Sequence, residues 1–128
     1  MTAARQTLGR EIEDLVARRL EGRGWRILAR NARPGMVRGE LDIVALDGST
    51  LVFVEVKARR AGSSLGPETP AMAVTHRKQA KLRSLAAAWL RERSGRMPRH
   101  RELRFDVVGV LVDATGRPVD WEHLREAF

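Results

Sequence analysis

Apolar residues recur at helical spacing near the start of the chain, and they predict a first amphipathic helix. The apolar stripe consists of Leu8, Ile12, Leu15, Val16 and Leu20. Gly22 and Gly24 follow the stripe and are expected to end the helix. Residues 25–31 then alternate in character, which predicts a short strand before a turn rich in glycine and proline. One face of this strand would carry Trp25, Ile27 and Ala29, against Arg26, Leu28 and Arg30.

Two apolar, β-branched runs lie on either side of an Asp-Gly pair and predict a β-hairpin. The runs cover residues 41–46 and 51–57, and Asp47-Gly48 occupies the turn between them. This hairpin is the clearest local feature of the sequence.

The second half of the chain adds a loop, a helix and a strand. Glycine, serine and proline fill residues 61–70 and predict a mobile loop. An apolar stripe then predicts a second helix from about Ala71 to Arg93. After a basic connection, residues 105–112 are apolar on both faces and predict a central strand. Residues after Trp121 are expected to form a short terminal helix.

These elements predict an α/β fold in a single domain that spans residues 1–128. A long helix between two strands implies a right-handed crossover and a parallel pair within a mixed sheet. The sheet would contain four or five strands, with helices on both faces. The predicted element order is αβββαβ, and the sequence contains no repeats and no second domain.

The amino-acid composition indicates a cellular location and a class of binding partner. The chain has no cysteine, no apolar run long enough to span a membrane and no visible signal peptide, so a cytoplasmic protein without a membrane partner is expected. Lys and Arg number 24 against 16 Asp and Glu, giving a net charge of +8. This excess, mostly arginine, favours nucleic acid as the partner, with DNA as the first expectation. An arginine-rich chain encoded by a GC-rich genome is the alternative explanation.

The register of the hairpin predicts a cluster of charged residues. If Leu46 pairs with Leu51, counting outward sets Asp42 opposite Glu55 and places Lys57 on the same face. Glu40 would then lie opposite Lys57. Charged groups beside a core are costly unless they are paired or bind a metal.

Two interpretations of this cluster stay open. Two carboxylates about 5 Å apart repel each other, and a Mg²⁺ ion held by Asp42 and Glu55 would remove that repulsion. Lys57 would then orient or deprotonate the attacking water, or stabilise charge that develops on phosphorus. Alternatively, Glu40 and Asp42 form ion pairs with Lys57 that only fix the register.

The spacing of these residues resembles a known signature. Asp42, twelve intervening residues and Glu55-Val56-Lys57 resemble the Asp…Glu-x-Lys motif of the restriction-endonuclease-like nucleases, and the αβββαβ order is similar to their core. A closer resemblance, over almost the whole chain, is to the bacterial YraN family. It rests on Gly9…EDL at 13–15, GWRIL at 24–28, RN at 30–31, GELDIV at 39–44, VFVEVKAR at 52–59, Ala73-Val74…Lys78, RFDVV at 104–108 and EAF at 126–128.

The YraN resemblance implies that Glu13, Asp42, Glu55 and Lys57 form the active-site-like set. Glu13 would join Asp42 and Glu55 as a ligand of Mg²⁺ or Mn²⁺. The family usually has a glycine before its helix glutamate, where this chain has Ile12, which would crowd Glu13; a solvated Glu13 is the alternative. The family's activity is uncharacterised, and its nuclease assignment is inferred from a fold similar to that of Holliday-junction resolvases. A resolvase-like protein that acts on two strands would form a homodimer.

Several basic residues are predicted to contact nucleic acid. Lys78 begins the apolar stripe of the second helix and is expected to reach the cluster. The predicted set is Lys78, Arg59, Arg60, Arg77 and Lys81, for which a solvated basic face is the alternative. Arg104 and Asp106 are interpreted as a structural pair, and the three histidines lack metal-ligand spacing.

Three functions are weighed. The main hypothesis is a metal-dependent nuclease-like protein that hydrolyses phosphodiester bonds in structured or branched nucleic acid. The alternative is a nucleic-acid-binding module that keeps the fold without turnover, and the third is a protein-interaction scaffold.

Overall fold

A computed structural model describes residues 3–62 and 73–128 of the chain, with side chains from Thr7 onward. Most of the predicted loop at residues 61–70 lies outside the described residues. The elements in chain order are α1 (Ala3–Gly22), β1 (Arg26–Ala32), β2 (Leu41–Asp47), β3 (Thr50–Arg60), α2 (His76–Glu92), β4 (Glu102–Val112) and β5 (Pro118–Leu124).

The five strands form one mixed sheet in the order β1-β2-β3-β4-β5. β3 and β4 pair in parallel, from Thr50–Glu102 to Arg60–Val112, and the other neighbours are antiparallel. The connection between β3 and β4 contains α2, as the crossover rule requires. The predicted mixed sheet, its parallel pair and the αβββαβ order are therefore confirmed, and β5 is added at the edge.

Each face of the sheet is covered by one helix. On one face, α1 packs Ile12, Val16 and Leu20 against alternate residues of β2, β3 and β4. On the other face, α2 packs Leu82, Leu85 and Trp89 against the intervening residues, including Phe53. The strands are apolar in both directions because both faces are buried. No helix within the described ranges is long and apolar enough to cross a membrane.

The register of the predicted hairpin is confirmed. Leu46 pairs with Leu51, Asp47 pairs with Thr50, and a two-residue turn joins the strands. The first turn residue, Gly48, has φ +61°, a conformation that glycine adopts without a Cβ clash. Asp42 and Glu55 therefore lie just beyond the last ladder pair, which is Ile43–Val54.

The alternation predicted for the first strand is wrong beyond Ile27. A bulge between Ile27 and Ala29 inserts one extra residue, so the side chains change phase. Trp25 and Ile27 pack against the α1 core, whereas Leu28 and Ala29 both pack against the α2 core. Nothing in the local composition marks the bulge.

The second helix begins later than predicted. Thr75 is its N-cap, and the Thr75 hydroxyl accepts a hydrogen bond from the Lys78 N–H at 3.3 Å. The helix ends at Glu92, one residue before the predicted end.

The predicted terminal helix after Trp121 is wrong. Residues Pro118–Leu124 form β5, which pairs antiparallel with β4 through a turn capped by the Asp113 side chain. The Asp113 carboxylate accepts hydrogen bonds from the N–H groups of Thr115 and Arg117. Pairing with β4 gives hydrogen-bond partners to the backbone N–H and C=O groups of this short segment, and this gain outweighs its weak helical pattern.

Candidate metal and phosphate site

The candidate site lies where β2 separates from β3. Beyond the Ile43–Val54 pair, the backbone ladder between these strands stops. The Asp42 carboxylate instead accepts a hydrogen bond from the Val56 N–H at 2.9 Å. β3 continues alongside β4 as far as Arg60, so its other edge is left open from Glu55 onward. This separation creates the space that the site occupies.

A loop of residues 33–40 (the 33–40 loop) carries the chain into β2 and forms one wall of this space. Gly39 has φ +124°, which L side chains rarely adopt. A Cβ at Gly39 would lie 3.3 Å from the Leu85 side chain, because the loop packs closely on α2. Glycine at this position therefore allows the loop to pack closely on α2 and to lead directly into Leu41 and Asp42 of β2.

The carboxyl groups of Asp42 and Glu55 lie within hydrogen-bonding reach of each other in this opening. Burial, together with the hydrogen bond and charge of Asp42, raises the pKa of Glu55 to about 9. The charges of Lys57 and Lys78 act in the opposite direction. The Glu55 carboxyl therefore keeps its proton at neutral pH. The structure brings Asp42 and Glu55 together as the register predicted.

Two lysines complete what we call the carboxylate–lysine cluster (Asp42, Glu55, Lys57 and Lys78). Lys78 lies in the first turn of α2, and its side chain lies beside that of Lys57. The neighbouring Lys57 amine, burial and the charge of Lys57 lower the pKa of Lys78. The structure thus brings Lys78 to the cluster.

Glu13 of α1 lies beside the cluster. Burial, then the charges of Asp42 and Glu40, raise the pKa of Glu13 to about 7. With its amide nitrogen turned toward the carboxylates, Asn31 donates to Glu13 Oε1 at 2.7 Å and to Glu40 Oε1 at 3.3 Å. Asn31 has φ +48°, an uncommon backbone conformation that asparagine tolerates better than most residues. The sequence analysis did not select Asn31 as a site residue and placed it at the end of the first strand.

The expected crowding of Glu13 by Ile12 does not occur. Ile12 is 3% exposed and points into the core between α1 and the sheet. On the side of Glu13, α1 borders the cavity with Gly9 and Arg10 instead. Glu13 is therefore half-buried at the cavity wall.

Glu40 does not pair with Lys57, as the register had suggested. It precedes β2, and its carboxylate accepts a hydrogen bond from Arg33 Nε at 3.0 Å. Within residues 3–62 and 73–128, no salt bridge joins Lys57 to Glu40 or Asp42. The ion-pair network that would only fix the register is therefore not formed.

A cavity of about 990 Å³ opens onto these groups. Glu13, Asp42, Glu55 and Lys57 all line it. Besides Lys57, the cavity is lined by three arginines that the sequence did not point to, Arg10, Arg33 and Arg38. The glycine- and proline-rich composition of the 33–40 loop was the available signal, because such loops often carry binding residues.

The other basic residues predicted as nucleic-acid contacts lie outside this cavity. Arg59 and Arg60 are exposed at the end of β3, and Arg77 and Lys81 are exposed on α2. None of these four residues is among those that line the cavity, although the Lys81 side chain lies beside Gly39 of its wall.

The cluster fits a divalent cation held by two carboxylates. In the part of the chain that the structure describes, no three His, Asp or Glu side chains lie close enough together to hold a metal. Mg²⁺ is commonly bound by one or two carboxylates, with water and phosphate oxygens completing its octahedron. The charge of Asp42 is one cause of the raised pKa of Glu55, and a bound cation would relieve the same repulsion. The donor chemistry therefore suits Mg²⁺ or Mn²⁺ at this pair.

The interpretation of Arg104 and Asp106 as a structural pair agrees with the geometry. Asp106 is fully buried and accepts from Arg104 Nε at 2.8 Å, from the Glu126 N–H at 3.2 Å and from the His123 ring at 2.8 Å. Burial opposes its ionisation, but the hydrogen bonds of His123 and Arg104 lower the pKa of Asp106 overall. This network fastens β5 and the C-terminal residues to β4.

Comparison with known proteins finds relatives that span nearly the whole chain. The sequence profile of UPF0102, an uncharacterised protein family, matches residues 12–110. A UPF0102 protein of Rhodococcus opacus is 47% identical over 121 residues, which cover 94% of this chain and 95% of the relative. One of Streptomyces coelicolor is 48% identical over 122 residues, covering 95% and 88%. One of Pelotomaculum thermopropionicum is 45% identical over 130 residues and covers 100% of both chains.

Proposed function

The chain belongs to the UPF0102 family, and from that premise we propose that it hydrolyses phosphodiester bonds of structured or branched nucleic acid with Mg²⁺ or Mn²⁺. Membership confirms the resemblance to the YraN family and leaves its activity open. The proposal includes a cytoplasmic location, DNA as the first substrate to test, and a homodimer.

One observation carries the proposal. Asp42 and Glu55 are held together in the opening beside β3, within reach of two lysine side chains and at the wall of a large cavity. Structural charges normally pair with opposite charges, whereas this cluster sets like charges side by side. Perturbed pKa values that arise from burial and from like-charged neighbours are typical of functional sites.

The roles of the residues follow from their contacts. Asp42 and Glu55 would hold the cation, with Glu13 beside the pair at the cavity wall. The bound cation would supply charge neutralisation and a more acidic water. Asp42 is fixed by the Val56 N–H, so its carboxylate is oriented before any ligand binds. Hydrolysis forms a bond between the water oxygen and phosphorus, and the bond from phosphorus to the leaving oxygen breaks.

The two lysines divide the remaining work. Lys57 lines the cavity and supplies positive charge where the pentacovalent phosphorus gathers negative charge. Lys78, beside Lys57, would contact a phosphate oxygen. Arg10, Arg33 and Arg38 would hold the phosphates on either side of the bond that is cut.

Cleavage assays with purified protein test the proposal. End-labelled branched, single-stranded and duplex DNA are incubated with Mn²⁺ and wild-type protein, Asp42→Ala, Lys57→Ala or a control, Asp120→Ala. Asp120 is exposed on β5, outside the cavity lining. We expect cleavage by wild type and the control, and a loss of at least about 100-fold in both site variants. No cleavage by wild type, or equal cleavage by the site variants, would contradict the proposal.

A second candidate function is a nucleic-acid-binding module without turnover. It is favoured by the absence, among the described residues, of three grouped metal ligands. This candidate predicts DNA binding that weakens steeply with salt and is unchanged in Asp42→Ala. Fluorescence anisotropy at several salt concentrations, with EDTA present, measures both properties.

A further inference from the structure

Met36 is the most exposed large apolar side chain in the described part of the protein, at 86% accessibility. It lies at the tip of the 33–40 loop. Single exposed apolar residues are common and by themselves indicate nothing. The surroundings of Met36 are what distinguish it from Val119, an exposed apolar residue on β5.

The backbone on either side of Met36 is anchored. The Gly35 N–H donates to Glu92 Oε1 of α2 at 2.7 Å. The Val37 N–H donates to the Pro34 carbonyl at 3.3 Å, and Val37 packs against the α2 core. Pro34 is itself buried. The Met36 side chain is thus exposed to solvent on an anchored backbone, although its neighbours Pro34 and Val37 pack against the protein.

Met36 lies next to the cavity of the candidate site, between residues that line it. Gly35 and Val37 line the cavity that contains Asp42 and Glu55, but Met36 does not line it. Arg33 and Arg38 lie on either side of the tip, and both are exposed and line the cavity. A polyanion held by these two arginines would bring its bases against the Met36 side chain.

We propose that Met36 is a wedge that enters the base stack where a duplex is interrupted by a branch or a break, and so selects such sites for the catalytic cluster. Proteins that open a base step insert apolar side chains, methionine among them, and unstacking costs a few kcal/mol per step in intact duplex. A branch point or nick has already lost part of that stacking, so the wedge enters there at lower cost. The inference rests on the proposed function and assigns to the same site a residue that determines its specificity.

Binding measurements in Ca²⁺, which suppress cleavage, test the wedge. Wild type, Met36→Ala, Met36→Leu and the control Val119→Ala are titrated with a four-way junction and with a duplex of the same arms. A 2-aminopurine base at the branch reports unstacking. We expect wild type, Met36→Leu and Val119→Ala to favour the junction by about 10-fold and to raise the fluorescence. Met36→Ala should bind duplex normally and lose both the preference and the fluorescence increase.

Equal preference in Met36→Ala and wild type, or no fluorescence increase in wild type, would overturn the wedge. Absence of cleavage in Mn²⁺ with a preference that depends on Met36 would instead contradict only the proposed hydrolysis. Cleavage of junctions that is indifferent to Met36 would contradict only the wedge. Failure of wild type to bind either DNA would contradict both.

Discussion

Replacing Glu55 with glutamine is expected to stabilise the metal-free protein at neutral and higher pH. The ordinary pKa of the group is 4.5, and in the folded protein it is raised to about 9 by burial and by Asp42. Folding at pH 7 therefore requires this carboxyl to take up a proton. Glutamine presents a neutral amide that can donate to Asp42 without that uptake.

The size of the effect follows from the two pKa values. Each pH unit above 4.5 costs the wild type about 1.4 kcal/mol until pH passes the folded pKa, which gives about 3 kcal/mol at pH 7. Partial solvent access and relaxation of the variant reduce this to about 2 kcal/mol. For a chain of this length, that gain raises Tm by roughly 8 °C.

The sign of the pH dependence is fixed by the direction of the shift. A carboxyl whose folded pKa is raised contributes stability that is fully present below pH 4.5 and is lost as pH rises toward 9. The advantage of Glu55→Gln should therefore be absent near pH 4.5 and grow up to pH 9. Glu13, whose pKa is about 7, contributes equally to both proteins and cancels.

Urea denaturation followed by circular dichroism, in EDTA and at pH 4.5, 7 and 8.5, measures this difference. The control Glu122→Gln alters an exposed glutamate on β5 and should stay within about 0.5 kcal/mol of wild type. A variant at Glu55 that is no more stable than wild type at pH 8.5 would refute the reasoning, as would a difference that does not change with pH.

Three further predictions concern the framework of the site. Gly39→Ala should lower the free energy of unfolding by about 2 kcal/mol, because φ is +124° and the new Cβ meets Leu85; an unchanged urea midpoint would contradict this. Asp106→Ala should lower the free energy of unfolding by about 3 kcal/mol, because Arg104 keeps less charge compensation. Since the pKa of Asp106 is lowered, wild type should lose stability as pH falls below 4, and the variant should lose less. A change under 1 kcal/mol in denaturant would contradict this prediction. Removal of Phe128, which stacks on Phe105 at 5.0 Å, should cost about 1 kcal/mol in the same assay, and no change would show that the stack contributes nothing.

The central part of the fold could be predicted because local signals agreed there. The turn at Gly48 and the apolar runs around it specify one register, and that register places Asp42 near Glu55. The long α2 between β3 and β4 required their parallel pairing. In these segments local preference and tertiary packing favour the same structure.

The remaining features depend on contacts that sequence spacing does not reveal. The bulge after Ile27 is set by how β1 fits against β2, and β5 forms because β4 offers a free edge. Glu40 pairs with Arg33 because the chain leaves the strand geometry before Leu41, so counting along an ideal hairpin fails there. Asn31 joins the site only because the fold brings β1 beside α1, and no local motif indicates that approach.

The most direct measurement of the central claim is diffraction from crystals soaked in Mn²⁺ at pH 8, collected at a wavelength where manganese scatters anomalously. The account predicts an anomalous peak between the carboxylates of Asp42 and Glu55 that disappears in Asp42→Asn. Carboxyls that stay hydrogen-bonded to each other, with no peak at millimolar Mn²⁺, would contradict a metal-dependent site at this position.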